Sequence, residues 1–229
     1  MYSLKKKSAV LALAAGLTLG LAACGSNNTE TTGTSGGAAP SAAPSPAAAL
    51  DALTGKQTAV TLDAGFLAGL TALKLTPAPV GGATLDAATG KIAFPITGGN
   101  VTYFDPASGV TPFVTGAISH DGSGLQLTGA NGKVVKLENF VVDPGASMLT
   151  GKVTVDGKVA FESAPLFFLD GSTVKPLDTT SSPGEAILAG TTVSLTKEAA
   201  DALNGVFGTT VLTEFFKVGV AEITLTLPS

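Results

Sequence analysis

From Lys91 onward the chain breaks into short apolar or alternating runs, closed every ten residues or so by Gly, Pro, Asn or Asp, and that rhythm suits β-strands rather than helices. The runs KIAFPIT, NVTYF, PFVTGAIS, GLQLTG, KVVKLENFVV, SMLTGKVTV, KVAFESAPLFFL, EAILAGTTVSL and KVGVAEITLTL are rich in Val, Phe, Leu and Thr, which fit a pleated, half-buried surface. The pattern predicts a mainly β domain, an antiparallel β-sandwich with one or two short helices. Turn chemistry divides the strands. In VVDPGAS, Pro144 suits the first central position of a tight turn and Gly145 the second, where a positive φ selects glycine. In GKVTVDGKVAF the register depends on loop length. A two-residue Asp156-Gly157 loop would pair Val153 with Ala160 and scatter Val153, Val159 and Phe161 over both faces. A three-residue loop from Val155 to Gly157 pairs Val153 with Val159 and gathers all three on one face, so the three-residue loop is expected.

Two segments depart from the β pattern. SLTKEAADALNGVFG offers a Thr196 cap, an acidic first turn, and Ala199, Ala200, Leu203 and Phe207 at helical spacing before Gly208, which predicts a helix from Lys197 to Phe207. VTLDAGFLAGLTALKLTP repeats the logic, with Asp63 as cap, Phe66, Leu67, Leu70 and Leu73 as apolar face, and Pro77 beyond the end. VTLDAGFLAGL and VSLTKEAADAL share Val60 with Val193, Leu62 with Leu195 and Leu70 with Leu203 at one offset, a shared local solution of strand, cap and helix.

The amino-terminal end has a different character. Lys5, Lys6 and Lys7 precede the apolar run SAVLALAAGLTLGLAA, which closes on small residues in the order of a secretory signal. At about 16 residues the run falls short of the roughly 20 needed to cross a bilayer as a helix. Leu21, Ala22, Ala23 and Cys24 resemble the lipobox of bacterial lipoproteins, whose cysteine is acylated on sulfur and becomes the new amino terminus. The resemblance implies a signal peptide over residues 1–23, Cys24 as lipidation site, and the membrane as a partner through that lipid. Each buried methylene of such an anchor contributes about 0.8 kcal/mol. Residues 24–49 then read as a disordered tether, with no aromatic residue and almost no charge. Residues 50–229 have the length of one domain. The implied address is extracytoplasmic, on the cell membrane or outer envelope, with an envelope protein as a candidate partner.

Charge and residue types exclude several functions. Removal of the first 23 residues leaves ten Lys against seventeen carboxylates, formally −7, and all 13 basic residues of the full chain are Lys. Bidentate guanidinium recognition of phosphate is therefore absent, and nucleic acid is not an expected partner. One cysteine forms no intramolecular disulfide, and one histidine builds no zinc site of the Cys/His kind, so no metal site is expected.

The sole mature-chain histidine lies in GAISHDGSGLQLTG, beside Ser119 and Asp121 and close to Ser123. Neighbours on a strand point to opposite faces, so Ser119, His120 and Asp121 do not converge locally, and no GxSxG elbow occurs. No catalytic residue is assigned, and the chain is not expected to be an enzyme. Asp105, Asp121, Asp143, Asp156 and Asp170 each precede Gly or Pro, where Asp caps turns. No twelve-residue calcium loop appears.

Residues from about 116 to 156, followed by AILAGTTVSLTKEAADALNGVF, resemble the HtaA type of actinobacterial surface domain. The shared order runs through His120, Asp121 and Gly122, then Asn139, then Leu149 and Thr150, and finally Leu195, Thr196 and Phe207, over about two thirds of the folded part. The resemblance implies a β-sandwich and haem capture through an iron-bound tyrosinate supported by a histidine. The family carries that tyrosine on an amino-terminal helix after a Trp-Gly start, whereas this chain has no Trp and places Phe66 there. Tyr103, seventeen residues before His120, is the remaining tyrosine, and the pair is the candidate ligand-binding site, with haem the cofactor it would take. Two readings follow: a non-enzymatic envelope lipoprotein acting as a structural or protein-binding module, and an HtaA-like binder of haem or another small ligand.

Overall fold

The computed structural model describes residues 44–53 and 55–227. Cys24, the signal segment and the tether up to residue 43 lie outside the described residues. Twelve strands are present: β1 (Ala48–Leu50), β2 (Gly55–Leu62), β3 (Leu75–Gly81), β4 (Thr84–Asp86), β5 (Lys91–Pro95), β6 (Gly98–Tyr103), β7 (Val114–Gly129), β8 (Val134–Asp143), β9 (Met148–Val155), β10 (Lys158–Asp170), β11 (Glu185–Leu195) and β12 (Lys217–Thr226). They form one antiparallel sheet in the order β1-β6-β7-β8-β9-β10-β11-β12-β2-β5-β4, with β3 pairing β7 beside that path. The mainly β, sandwich-like fold expected from the sequence is what forms.

Two features make the sheet curl. β5 pairs with β2 and β6 pairs with β7, so the stretch 91–103 belongs to two distant parts of the strand order. Only Ile96 and Thr97 separate β5 from β6, and the Thr97 amide donates to the Ser119 carbonyl at 2.8 Å. One run of chain thus bridges the two ends of the path. The sixteen-residue β7 changes partner along its length, pairing β6 through Ser119 and β3 from Ser123, with an irregularity between His120 and Gly124 where the strand bends. The inner face of the curl carries the apolar core, including Ile92, Phe94, Ile118, Phe140, Leu166 and Leu195.

Both sequence-expected helices are present. α1 (Ala64–Ala72) starts at Asp63, whose carboxylate accepts from the Gly65 amide at 2.8 Å, and it buries Phe66 and Leu70. Leu67, expected on the same face, is exposed. α2 (Lys197–Phe207) starts at Thr196 and ends at Gly208 in the left-handed region, burying Ala199, Ala200 and Leu203. The Thr196 hydroxyl accepts from the Ala199 amide at 3.1 Å and donates to the Pro165 carbonyl at 2.9 Å, so one side chain caps the helix and ties it to β10. The two strand-cap-helix units flank β12 on either side, with Val193 and Leu62 both opposite Gly219.

Two turns differ from expectation. The β9–β10 ladder pairs Val155 with Lys158 and Val159 with Thr154, which leaves a two-residue Asp156-Gly157 loop. Both loop residues have positive φ, 49° and 79°, as a type I′ turn demands. A register shift between Val159 and Phe161 then brings Phe161 opposite Val153. The three-residue loop rests on Val153, Val159 and Phe161 sharing one apolar face, yet Val159 and Phe161 are 47% and 55% exposed, so no burial rewards that register. The short loop is also held from outside: the Asp156 carboxylate accepts from the Val134 amide at 3.0 Å and pairs with Lys133 at 2.7 Å. In the second case, Gly145 does not take a positive φ. The β8–β9 connection spans residues 144–147, and Ser147 is its left-handed residue at φ 55°. The Asp143 carboxylate accepts from the Ala146 amide at 2.9 Å, replacing a backbone carbonyl in the turn.

A tight backbone approach joins β6 to β7. Gly99 sits at φ 120°, and a Cβ there would lie 2.0 Å from the Ala117 carbonyl oxygen. Gly98, one residue earlier, has open space around the same position. Gly99→Ala is expected to destabilise the domain by at least ~2 kcal/mol, and Gly98→Ala by less than about 1 kcal/mol. Urea unfolding of the two variants checks this, and equal midpoints would show that the β6–β7 approach is not the constraint described.

Candidate functional site

The inner face of the curl is not completely filled. A cavity of about 360 Å³ lies inside it, lined from β1, β2, β5 to β12 and the connections between them. Inward positions of regular strands recur every second residue, and here those positions are Val, Leu, Ile, Phe and Ala almost throughout. Among the described residues no Lys, Asp or Glu lines the space. The exposed lining residues are Thr111, Pro112 and Thr179, and all three lie in connections at one end of the strands. That end carries residues 104–113, 144–147 and 171–184, and it is the mouth. Asp178 braces the long connection there, accepting from the Thr180 and Ser181 amides at 2.8 and 3.0 Å. Its carboxylate is held well below the ordinary range, first by the Ser181 hydroxyl and then by these amides.

His120 is 1% exposed and points into the curl from β7. Its Nδ1 lies 2.9 Å from the Pro95 carbonyl on β5, and its Nε2 lies 3.2 Å from the Thr58 hydroxyl on β2. A carbonyl only accepts, so Nδ1 carries the proton and Nε2 of the neutral ring accepts from Thr58. Burial pushes the His120 pKa below its ordinary value, against smaller opposing contributions from the Pro95 and Phe94 backbone and from Asp121. Phe94 meets the imidazole at 6.4 Å and Phe140 at 5.2 Å, and Phe140 in turn meets Phe167 at 6.5 Å, all near edge-to-face. This aromatic group lines the interior of the cavity, and Leu62, Val193 and Val218 line it nearer the helices.

Tyr103 also lines the cavity, at the mouth end of β6, with its ring 6.2 Å from Phe113. The β6–β7 register sets Tyr103 opposite Val114, six residues from His120 along an extended strand. At about 3.3 Å per residue the two backbones are roughly 20 Å apart. They share one cavity and one face of the sheet, but the imidazole does not bond to the phenol.

The other polar candidates hold structure. Ser119 and Asp121 flank His120 on the outer face, where the Thr97 hydroxyl accepts from the Asp121 amide at 2.9 Å. The Ser123 hydroxyl donates to the His120 carbonyl at 3.1 Å. Asp105 and Asp170 cap turns through the Ala107 and Ser172 amides, as the sequence indicated. Sequence reasoning missed Thr58, Phe94, Phe140 and Phe167 as site residues. Their inward parity was readable in each strand, but the strand order that brings them together was not.

The haem implied by the HtaA resemblance meets a poor donor set inside this cavity. Both nitrogens of His120 are engaged by protein, and no cationic side chain among the described lining residues faces the position of a carboxylate. A cavity of about 150 Å³ accepts one benzene, so this one takes on the order of fourteen carbon atoms, roughly a third of an iron porphyrin. Tyr103 is the lining residue that could reach an iron held at the mouth.

The C-terminal domain of HtaA from Corynebacterium glutamicum superposes on this chain with a TM-score of 0.51 at 17% identity, covering 77% of this chain and 99% of that domain. The N-terminal domain of HtaA gives 0.46 at 14% identity, covering 77% and 99%. Heme binding protein HtaB from the same organism gives 0.46 at 11% identity, covering 78% and 96%. The first likeness is one of fold, and the other two are too loose to add to it. No protein-family model and no curated protein matches the chain.

A buried neutral histidine leaves a signature in stability. Below about pH 6.5 the unfolded chain takes up a proton that the folded ring refuses, so stability falls with pH from that point down to the lowered folded pKa. The limiting slope for one such proton is about 1.4 kcal/mol per pH unit. Urea titrations from pH 7.5 to 5 are expected to show this slope in the parent chain and its loss in His120→Gln. Identical slopes would mean that His120 is charged or exposed in the folded state.

Proposed function

We propose that this chain is an exported envelope protein, anchored by lipid on Cys24, whose β domain takes an apolar small molecule into the curl of its sheet without transforming it. The cavity carries the reading: a space of about 360 Å³, lined without charge and open at one end, is of the size and character that small-ligand sites show. A domain whose sheet merely presented an outer surface has no use for that volume, since closing it would gain burial energy. The cavity therefore moves the weight from the structural or protein-binding reading to the small-ligand one. The likeness to the HtaA C-terminal domain supports the fold on which this reading rests. Haem, which the HtaA resemblance of the sequence implies, is the second reading for the occupant, placed at the Tyr103 mouth.

Two experiments separate these points. A neutral apolar dye such as N-phenyl-1-naphthylamine is expected to brighten on binding the full-length chain and to lose that response in Thr191→Phe, which fills the cavity from β11; absence of dye binding would remove the ligand-site reading. Haemin added to the same protein is expected to give no Soret shift that depends on Tyr103. A shifted band lost in Tyr103→Phe would install haem as the ligand instead. For the anchor, Cys24→Ser is expected to release the protein from membrane fractions, and retention of the unacylated variant would refute lipid attachment at that residue.

A further inference from the structure

We propose that the occupant is a single-chain lipid with an uncharged head, bound tail first with its head at the Tyr103 end; this rests on the reading of the cavity as a ligand site. The cavity's lining runs from Thr111 and Thr179 at the mouth past Tyr103 and His120 to Leu62 and Val218 near the helices. By the benzene comparison its volume of about 360 Å³ holds on the order of fourteen carbons, enough for one alkyl chain of that length and not for a second.

The two ends differ in chemistry, and the difference sets the direction of binding. Inside the cavity the polar groups are spent on one another, because His120 bonds to both Pro95 and Thr58, and the lining beyond them toward the helices, such as Leu62 and Val218, is apolar. What remains for a ligand there is the aromatic surface of Phe94, Phe140 and Phe167, which offers no partner to a polar head. At the mouth the lining turns hydroxylic, with Tyr103, Thr111, Ser147 and Thr179. A head group placed there hydrogen-bonds and keeps contact with water, while the tail is desolvated within.

The same lining selects the head. A carboxylate or phosphate buried without a cation is strongly disfavoured, and none of the described lining residues is Lys. The surrounding body adds to this, since residues 44–227 contain sixteen carboxylates against ten Lys. Hydroxyls suit a neutral glycerol or alcohol head, such as that of a monoacylglycerol, which donates and accepts hydrogen bonds without charge.

Displacement of bound N-phenyl-1-naphthylamine from the full-length chain, purified without detergent, tests this with 1-monoacylglycerols of 8 to 18 carbons and the matching alkanoates at pH 8. Affinity for the monoacylglycerols is expected to rise about fourfold per added methylene, from ~0.8 kcal/mol each, and to level off near 12 to 14 carbons. Dodecanoate is expected to bind at least tenfold more weakly than 1-monolauroylglycerol. Thr191→Phe is expected to shift the plateau to shorter chains, and Thr179→Trp, at the exposed rim, to weaken all lengths alike. If dye binds but chain length changes affinity less than twofold, or the alkanoate binds as well as the glyceride, the lipid assignment falls and the ligand site stands. Failure of dye and lipids alike removes both.

Discussion

The ring of His120 ties the curl of the sheet shut. It reaches from β7 to the Pro95 carbonyl on β5 and the Thr58 hydroxyl on β2, three strands that meet where the path of the sheet turns back on itself. Neither partner is charged, so nothing bonded to the ring compensates a positive charge, and the Pro95 carbonyl takes the Nδ1 proton of the neutral imidazole. Burial enforces that state by making the protonated ring costly. The Thr97 bonds to Ser119 and Asp121 reinforce the same corner from outside. Closure at this seam is what gives the sheet an inside, and the cavity follows from it.

A closed curl of regular strands has a fixed interior, and side-chain volume decides how much remains empty. At the far end α1 and α2 follow the strands that flank β12, and Leu70, Leu203 and their neighbours extend the core there. At the mouth the connections 104–113, 144–147 and 171–184 run over the opening, lining it with Thr111, Pro112, Ser147, Gly171 and Thr179 beside Phe113, Val174 and Leu177. The asymmetry of the space therefore arises from topology: helices follow strands at one end and polar loops follow them at the other.

Much of this architecture was legible in the chain itself. Period-two runs gave the strands, because a buried face imposes alternation. Thr196 and Asp63 marked both helix starts, because an unpaired first-turn amide needs an acceptor. The Asp-Gly loop was misread for a physical reason. Hydrophobicity is not burial: Val159 and Phe161 are large apolar residues that stay exposed, while the turn is set by the Asp156 carboxylate's bonds to Lys133 and the Val134 amide and by a bulge. Gly145 failed similarly, since the Asp143 side chain supplied the acceptor that a shorter turn takes from backbone. For the site, Tyr103 and His120 were identified as the polar residues of interest, and both line the cavity. Their separation was not legible, because it depends on a register that places Tyr103 opposite Val114.

The departure at Phe66 marks where this chain differs from the HtaA pattern within a shared fold. Phe66 is buried in α1 with its ring 6.3 Å from Phe216, so the aromatic position that the HtaA resemblance associates with a metal-binding phenol is here committed to packing the helix against the segment before β12. A phenol in that place would need a partner for its hydroxyl, and a benzyl group needs none. With that position committed to the core, polar groups able to meet a ligand are found instead along the interior of the curl, where Tyr103 and the threonine hydroxyls are grouped at the open end and His120 is satisfied by protein. The interior that the sheet encloses is apolar and carries no Lys, Asp or Glu among its described lining residues, with hydroxyls near its open end, and that chemistry is set by the strands themselves.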